Sequence, residues 1–458
     1  MMSASPPVNT ATPTHAALAP IAPRARVQGI DIARGIALLG IILVNARFFF
    51  LPFMWAAEPN GVPADHPNPV NTLDLLVRDA VNALCTFKFI STFSILFGFG
   101  LSQQIARARA AGQSRWPFML RRLGLMLAIG LVHGLFVWYG DILAIYAVIG
   151  TVVVAAASLS DRWLRRIVIT LAVLTLTLTT LVGALRFAFG TSAQRVDAEV
   201  RAVEPSDAAE HQEATEAPPP RGFDAMMKAN FDPNSRIWIS AEIAAFQQGP
   251  WLDAMAFRSA SYAFAVVAAI FSYGWHVLLM MLIGVLLQRS SFFSPDAAHA
   301  RWRFIRVGLS IGLPCAIASV LPHWIWGRSD GMATFLEGSL LVVSALTLPL
   351  AYAPLIVEVG PRLPAFIREP LAATGRMALT IYLCESILCT ALASWWGFGL
   401  FGTMNDAQFT LLAATVWVAL VGVAFAWRRL LGDGPVERLW RAASYGSRPK
   451  ACGGRASC

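Results

Sequence analysis

At 458 residues, 56% hydrophobic and only 14% charged, the chain is too apolar for ordinary soluble domains and reads as a polytopic membrane protein. Its formal charge of +9 does not point to nucleic acid, because the basic residues fall in short loops between apolar runs, where they orient a membrane protein. The six cysteines include no C-x-x-C pair and argue against a disulfide framework or a metal site.

Residues 1–26 are rich in Pro, Ala, Ser and Thr, contain no acidic residue and lack a signal-peptide core, so they read as a disordered cytoplasmic tail. Ten apolar runs then follow, each long enough to cross about 30 Å of hydrocarbon. They lie near 29–50, 86–105, 118–138, 141–158, 165–188, 261–288, 304–325, 333–357, 375–398 and 409–427. Five fall in 27–189 and five in 257–430, separated by an extracytoplasmic loop at 190–256 and followed by a cytoplasmic tail at 431–458. The stretch 257–272 reads alternatively as an interfacial segment before a span at 273–288.

Arginines collect in alternate connections: Arg107, Arg109, Arg115, Arg121 and Arg122; then Arg162, Arg165 and Arg166; then Arg289, Arg301, Arg303 and Arg306. The intervening connections are acidic or nearly neutral. A ten-span bundle with both termini in the cytoplasm satisfies this pattern throughout. The loop at 190–256 opens with a polar, Glu-rich stretch, whereas Phe223 to Trp251 carries enough aromatic and aliphatic residues to form helices over the outer mouth, or a plain connector.

The polar groups inside the spans carry the functional expectation, because ionisable residues there usually face a bundle interior or a cavity. In the first span, GIDIARGIALLGIILVNARFFF, Arg34 and Asn45 are eleven positions apart and share one helix face about 16 Å apart, with Asp31 one turn before Arg34. Asp31 and Arg34 are also explicable as an interfacial pair. Lys88 opens the second span, where snorkelling to the headgroups accounts for it, and Gly98 and Gly100 in that helix suit close packing.

His133 ends the third span, and only Trp138, Tyr139 and Gly140 separate that run from Asp141, so a tight hairpin returns a carboxylate to the histidine. A carboxylate on one imidazole nitrogen raises the basicity of the other, as a general base or acyl carrier requires; a backbone-bonded histidine with Asp141 as a helix cap is the structural alternative. The ninth span holds Arg376 at its start, then Thr380 and Tyr382, with Glu385 near the midplane as either a packing group or part of a site. Trp275, His276 and Glu337 have no spacing that singles them out.

Together DIARGIALLGIILVN (31–45), KFISTFSILFGFGL (88–101), LVHGLFVWYGDILAIYAVIG (131–150), MMLIGVLL (280–287), GRMALTIYL (375–383) and DGPVERLWR (433–441) resemble the YeiB-like family of bacterial integral membrane proteins. That family is similar to transmembrane acyltransferases, which include heparan-alpha-glucosaminide N-acetyltransferase and the acyltransferase-3 group. The resemblance is carried by the pattern D-x-x-R-G-x-A at Asp31, Arg34, Gly35 and Ala37. It implies transfer of an acyl group, acetyl in particular, from acyl-CoA to an acceptor at the other face of the inner membrane. Where acyltransferase-3 proteins place a functional His eleven positions after the Arg, this chain has Asn45. The resemblance therefore moves the expected base or acyl carrier to His133, oriented by Asp141, with His66 in the loop VPADHPNPV a weaker candidate. Arg34 would meet CoA phosphate or the thioester oxygen, Asn45 would donate to the acyl carbonyl, and Asp31, Lys88, Trp138, Arg376, Thr380, Tyr382 and Glu385 would bind substrate. The expected partners are acyl-CoA, an external acceptor, membrane lipid and a second copy in a homodimer. A small-metabolite transporter using the same polar groups is the alternative.

Overall fold

The computed structural model describes residues 27–57, 68, 70–189, 219–328 and 330–445. His66, the 1–26 tail and the polar opening of the long loop, 190–218, lie outside the described residues. Every regular element among those described is helical, as a chain of long apolar runs requires when its backbone groups must be satisfied within each segment.

The helices in order are α1 (Gln28–Phe50), α2 (Phe53–Ala57), α3 (Thr72–Leu84), α4 (Lys88–Ala110), α5 (Arg115–Phe136), α6 (Leu143–Ala156) and α7 (Asp161–Phe189). After the undescribed segment come α8 (Gly222–Lys228), α9 (Arg236–Gln248), α10 (Trp251–Ala268) and α11 (Gly274–Arg289), then α12 (Ala298–Trp326) and α13 (Gly331–Val359). The chain closes with α14 (Ala365–Arg376), α15 (Ala378–Ala393), α16 (Asp406–Leu430) and α17 (Pro435–Tyr445). Eight helices among the described residues are long and apolar enough to cross a membrane, or nine if α14 and α15 make one bent span. The apolar helices α6 and α11 are shorter.

Three boundaries differ from expectation. The sixth run begins earlier, at Trp251, and α10 passes into α11 through a π turn at Ala269–Tyr273. The ninth run is not one helix from 375 to 398: α14 and α15 meet at 87° around Met377, and α15 ends at Ala393. The amphipathic helix α3, absent from the sequence reading, starts with a reciprocal cap in which Asn71 and Asp74 satisfy each other's backbone N–H groups.

α1 runs through the centre, packed by α14, α16, α4, α13 and α15. Its crossing with α14 is close because both partners are glycines: a Cβ on Gly35 would sit 2.3 Å from the Leu371 carbonyl oxygen, and one on Gly375 would sit 1.7 Å from that of Asp31. α4 and α11 interlock likewise, Gly98 against Met281 and Gly284 against Ile95. Helix α7 packs on α13 and α11 but leaves most of its length exposed, as a helix facing lipid would. Where α1 finishes, the apical end, α9 lies over Phe53 and the turn at 394–402: Trp395 N donates to the Phe246 carbonyl at 2.6 Å, and Gly402 N to that of Phe50 at 2.7 Å. The stretch Phe223 to Trp251 therefore forms helices, as its aromatic content suggested. Where α1 begins, the basal end, α17 folds back beneath α5 and α15.

Candidate functional site

A cavity of about 970 Å³ follows α1 along nearly its whole length. Lining residues run from Val27 to Phe48 on this helix, a rise of about 30 Å. The basal end is rich in guanidinium groups: Arg34, Arg107, Arg122, Arg376 and Arg441 all line it, with Asp31 and Glu437. The middle is apolar, with Leu38, Ile41, Val44, Ile90, Phe93 and Phe97. At the apical end Asn45, Arg47, Arg78, Glu337 and Asp406 reappear as polar lining.

Each end is built by local devices. Arg34 lies 3.4 Å from Asp31 one turn away, and it passes α4 where Gly100 carries no side chain, the guanidinium lying 3.7 Å from where a Cβ would be. Arg122 stacks on the Trp440 ring at 3.6 Å, while Trp440 Nε1 donates to the Arg122 carbonyl at 3.1 Å, so α17 forms part of the basal wall. Arg441 pairs with Asp433, which also holds Arg428. Apically, Arg78 donates to Asp406 at 2.6 Å and Arg47 lies 3.4 Å from the same carboxylate.

The anticipated hairpin is present. His133 Nδ1 lies 2.9 Å from Asp141 Oδ1, and Asp141 Oδ2 accepts from Ala144 N at 2.8 Å, capping α6. Asp141 thus holds the imidazole and caps the helix at once, and the histidine is bonded to this carboxylate rather than to a backbone carbonyl. A neutral imidazole that donates from Nδ1 to Asp141 keeps its lone pair on Nε2. That nitrogen is buried without a hydrogen-bond partner. The Tyr382 ring centroid is 5.3 Å from that of His133, and the Trp138 ring 6.4 Å. Trp138 and Tyr382 line the cavity, whereas His133 and Asp141 do not, so the pair sits behind these two rings.

Of the other expected residues, Asp31, Arg34, Asn45 and Arg376 line the cavity with Trp138 and Tyr382. Lys88, Thr380 and Glu385 do not. Lys88 does not snorkel either: it is fully buried and donates from Nζ to the Asn82 carbonyl at 3.0 Å. Thr380 is taken by Glu437, which accepts from its hydroxyl and, at 3.0 Å, from its backbone N–H. Glu385 is buried with Oε1 lacking a partner. His276, which no spacing singled out, meets Ser91 Oγ at 2.6 Å. Among the described residues no group of three or more His, Cys, Asp or Glu side chains is arranged to hold a metal ion.

Sequence reasoning missed a second histidine–carboxylate pair. His323 Nε2 lies 2.8 Å from Glu337 Oε2 across the α12–α13 turn. The available signal was the same as for His133 and Asp141: a histidine closing one apolar run and a carboxylate early in the next.

Helices this long and apolar, packed around a cavity with charged ends, are those of a multi-pass membrane protein. The profile of a family described as "Protein of unknown function (DUF418)" matches residues 287–447, which include the ninth-span motif and the D-G-P-V-E-x-L-W-R tail. The chain is similar to "Uncharacterized protein YeiB" of Escherichia coli strain K12, 27% identical over 427 residues that cover 90% of this chain and 94% of the relative. It is also similar to "Uncharacterized protein YxaH" of Bacillus subtilis strain 168, 24% identical over 93% of this chain and 96% of that one. Together these matches support a YeiB-like family.

Proposed function

We propose that the protein is an integral membrane acyltransferase that moves an acyl group, acetyl being the smallest case, from acyl-CoA to a hydroxyl or amine acceptor outside the bacterial inner membrane. In this reading ten spans (α1, α4, α5, α6, α7, α10 with α11, α12, α13, α15 and α16) leave both termini in the cytoplasm. The basal end is then the cytoplasmic mouth.

The observation that carries the reading is a cavity along α1 that joins an arginine-rich end to a polar end. CoA is a phosphate-bearing nucleotide on a long, mostly uncharged arm. Arg34, Arg107, Arg122, Arg376 and Arg441 offer charge-assisted hydrogen bonds to its phosphates. The apolar middle suits the arm, and Asn45 at the far side can donate to the thioester oxygen, where charge develops during transfer. His133, oriented by Asp141, supplies a base or acyl carrier if the Trp138 and Tyr382 rings shift to open Nε2 to the cavity. A transporter of a small metabolite is supported by the same cavity length, but not by the concentration of arginines at one end.

The test is incubation of the purified protein in nanodiscs with labelled acetyl-CoA and either glucosamine or glycerol. Transfer of label is expected, and Arg34→Ala or Arg376→Ala should weaken acetyl-CoA binding about tenfold, the loss of one charge-assisted contact. Absence of transfer by the wild type would rule the reading out.

A further inference from the structure

The apical end of the cavity holds a proton acceptor better placed than His133. Glu337, on α13, lines the cavity, as do Arg47, Arg78 and Asp406. One oxygen, Oε2, is held by His323 Nε2 at 2.8 Å. The other, Oε1, makes no hydrogen bond among the described residues. The histidine is almost wholly enclosed, with 1% of its side chain exposed, whereas Glu337 keeps 14%. His323 Nδ1 is buried without a partner, so a neutral imidazole carries its proton on Nε2 and donates it to the carboxylate. That bond holds Glu337 through Oε2 and leaves Oε1 as an acceptor on a residue that lines the cavity.

Depth also matches. Arg47, which lies within electrostatic reach of Glu337, is two residues beyond Asn45, about 3 Å along the axis of α1. A thioester whose oxygen is held by Asn45 and an acceptor standing at Glu337 would therefore lie in one layer of the cavity. The layer is opposite the arginine-rich end, so the two substrates would approach from opposite sides.

We infer that the acyl acceptor occupies this apical end and that Glu337 is the catalytic residue that takes its proton, with His323 as the positioning residue. The inference rests on the acyl-transfer reading. In the step it describes, the acceptor oxygen or nitrogen forms a bond to the thioester carbon as its proton passes to Glu337 Oε1. The C–S bond then breaks, its electron pair leaving with sulfur, and the CoA thiolate takes up the proton to restore the carboxylate. Atoms and charge balance with acyl-CoA and the acceptor alone.

The experiment compares wild type, Glu337→Gln, Glu337→Asp, His323→Ala, His323→Gln and His133→Ala in nanodiscs, with labelled acetyl-CoA and glucosamine or glycerol. Acetyl-CoA affinity is measured in parallel as a check on folding. Glu337→Gln should lower kcat about 100-fold or more with acetyl-CoA affinity unchanged, the usual effect of losing a general base. Glu337→Asp should keep partial activity. His323→Ala should lower kcat roughly tenfold without raising KM for acetyl-CoA, and His323→Gln, whose amide nitrogen can donate as Nε2 does, should recover part of the loss. Wild-type transfer with Glu337→Gln within threefold of it, or with His133→Ala alone inactive, overturns the inference and leaves acyl transfer standing. No transfer by the wild type overturns both.

Discussion

His133 and His323 each hold one ring nitrogen on a carboxylate and keep the other buried with no partner. Their surroundings separate them, since aromatic rings screen one from the cavity and the carboxylate partner of the other lines it. A buried carboxyl in the apical cap behaves differently. Glu242, on α9 in the apical cap, accepts weakly from Phe53 N at 3.4 Å and is 2% exposed. Burial pushes its carboxyl up from the ordinary 4.5 to about 8, the Phe53 bond opposing this only in part. The folded cap therefore binds a proton more tightly than the unfolded one, so its stability is full below about pH 4.5, falls as pH rises toward 8 and levels off above. Limited proteolysis of the cap should accelerate between those limits, and Glu242→Gln should remove the pH dependence. Cleavage of the wild type at one rate from pH 5 to 8 would refute this account.

At the scale of elements, the right-angled junction of α14 and α15 organises the basal end. Breaking a helix inside an apolar run leaves N–H groups without carbonyl partners, and these are costly where water is absent. Glu437 meets that need from α17: its Oε1 accepts from Leu379 N at 2.9 Å and from Thr380 N at 3.0 Å, and Oε2 takes the Thr380 hydroxyl. A carboxylate at a helix N-terminus also complements the helix dipole. The same short helix supplies Trp440 and Arg441 to the cavity wall, so the cap couples the bend to the shape of the arginine-rich mouth. Glu437→Ala should destabilise the protein by about 2 kcal/mol or more, seen as a lower Tm in detergent, and should weaken acetyl-CoA binding as α17 loosens. Glu437→Gln, which keeps an acceptor oxygen, should fall between. An alanine variant melting with the wild type would show that the cap contributes nothing.

Over the whole molecule, what was legible in the sequence divides by the range of the interaction. α1, α12, α13 and α16 were readable because a run of about 20 apolar residues has few alternatives in a polytopic chain. The α14–α15 bend was not, because the carboxylate that caps the second helix, Glu437, lies far downstream in the sequence. The His133–Asp141 contact was readable because a tight turn enforces it; whether the pair faces the cavity was not, since that depends on where the Trp138 and Tyr382 rings fall. Lys88 misled for a related reason: its position at a helix start suggested water, but the fold encloses it. The arrangement across the membrane is the remaining large-scale feature, and the charges predict it. Ser114, Ser160 and Asn234 are exposed, the first two in arginine-flanked turns and the third in the apical cap. In a protein whose native cysteines are replaced by serine, Asn234→Cys should react with a membrane-impermeant maleimide in intact spheroplasts, whereas Ser114→Cys and Ser160→Cys should react only in inverted vesicles. Labelling of Asn234→Cys from the same side as Ser114→Cys would break the proposed ten-span arrangement, and with it the proposed placing of the arginine-rich mouth in the cytoplasm, where acyl-CoA is made.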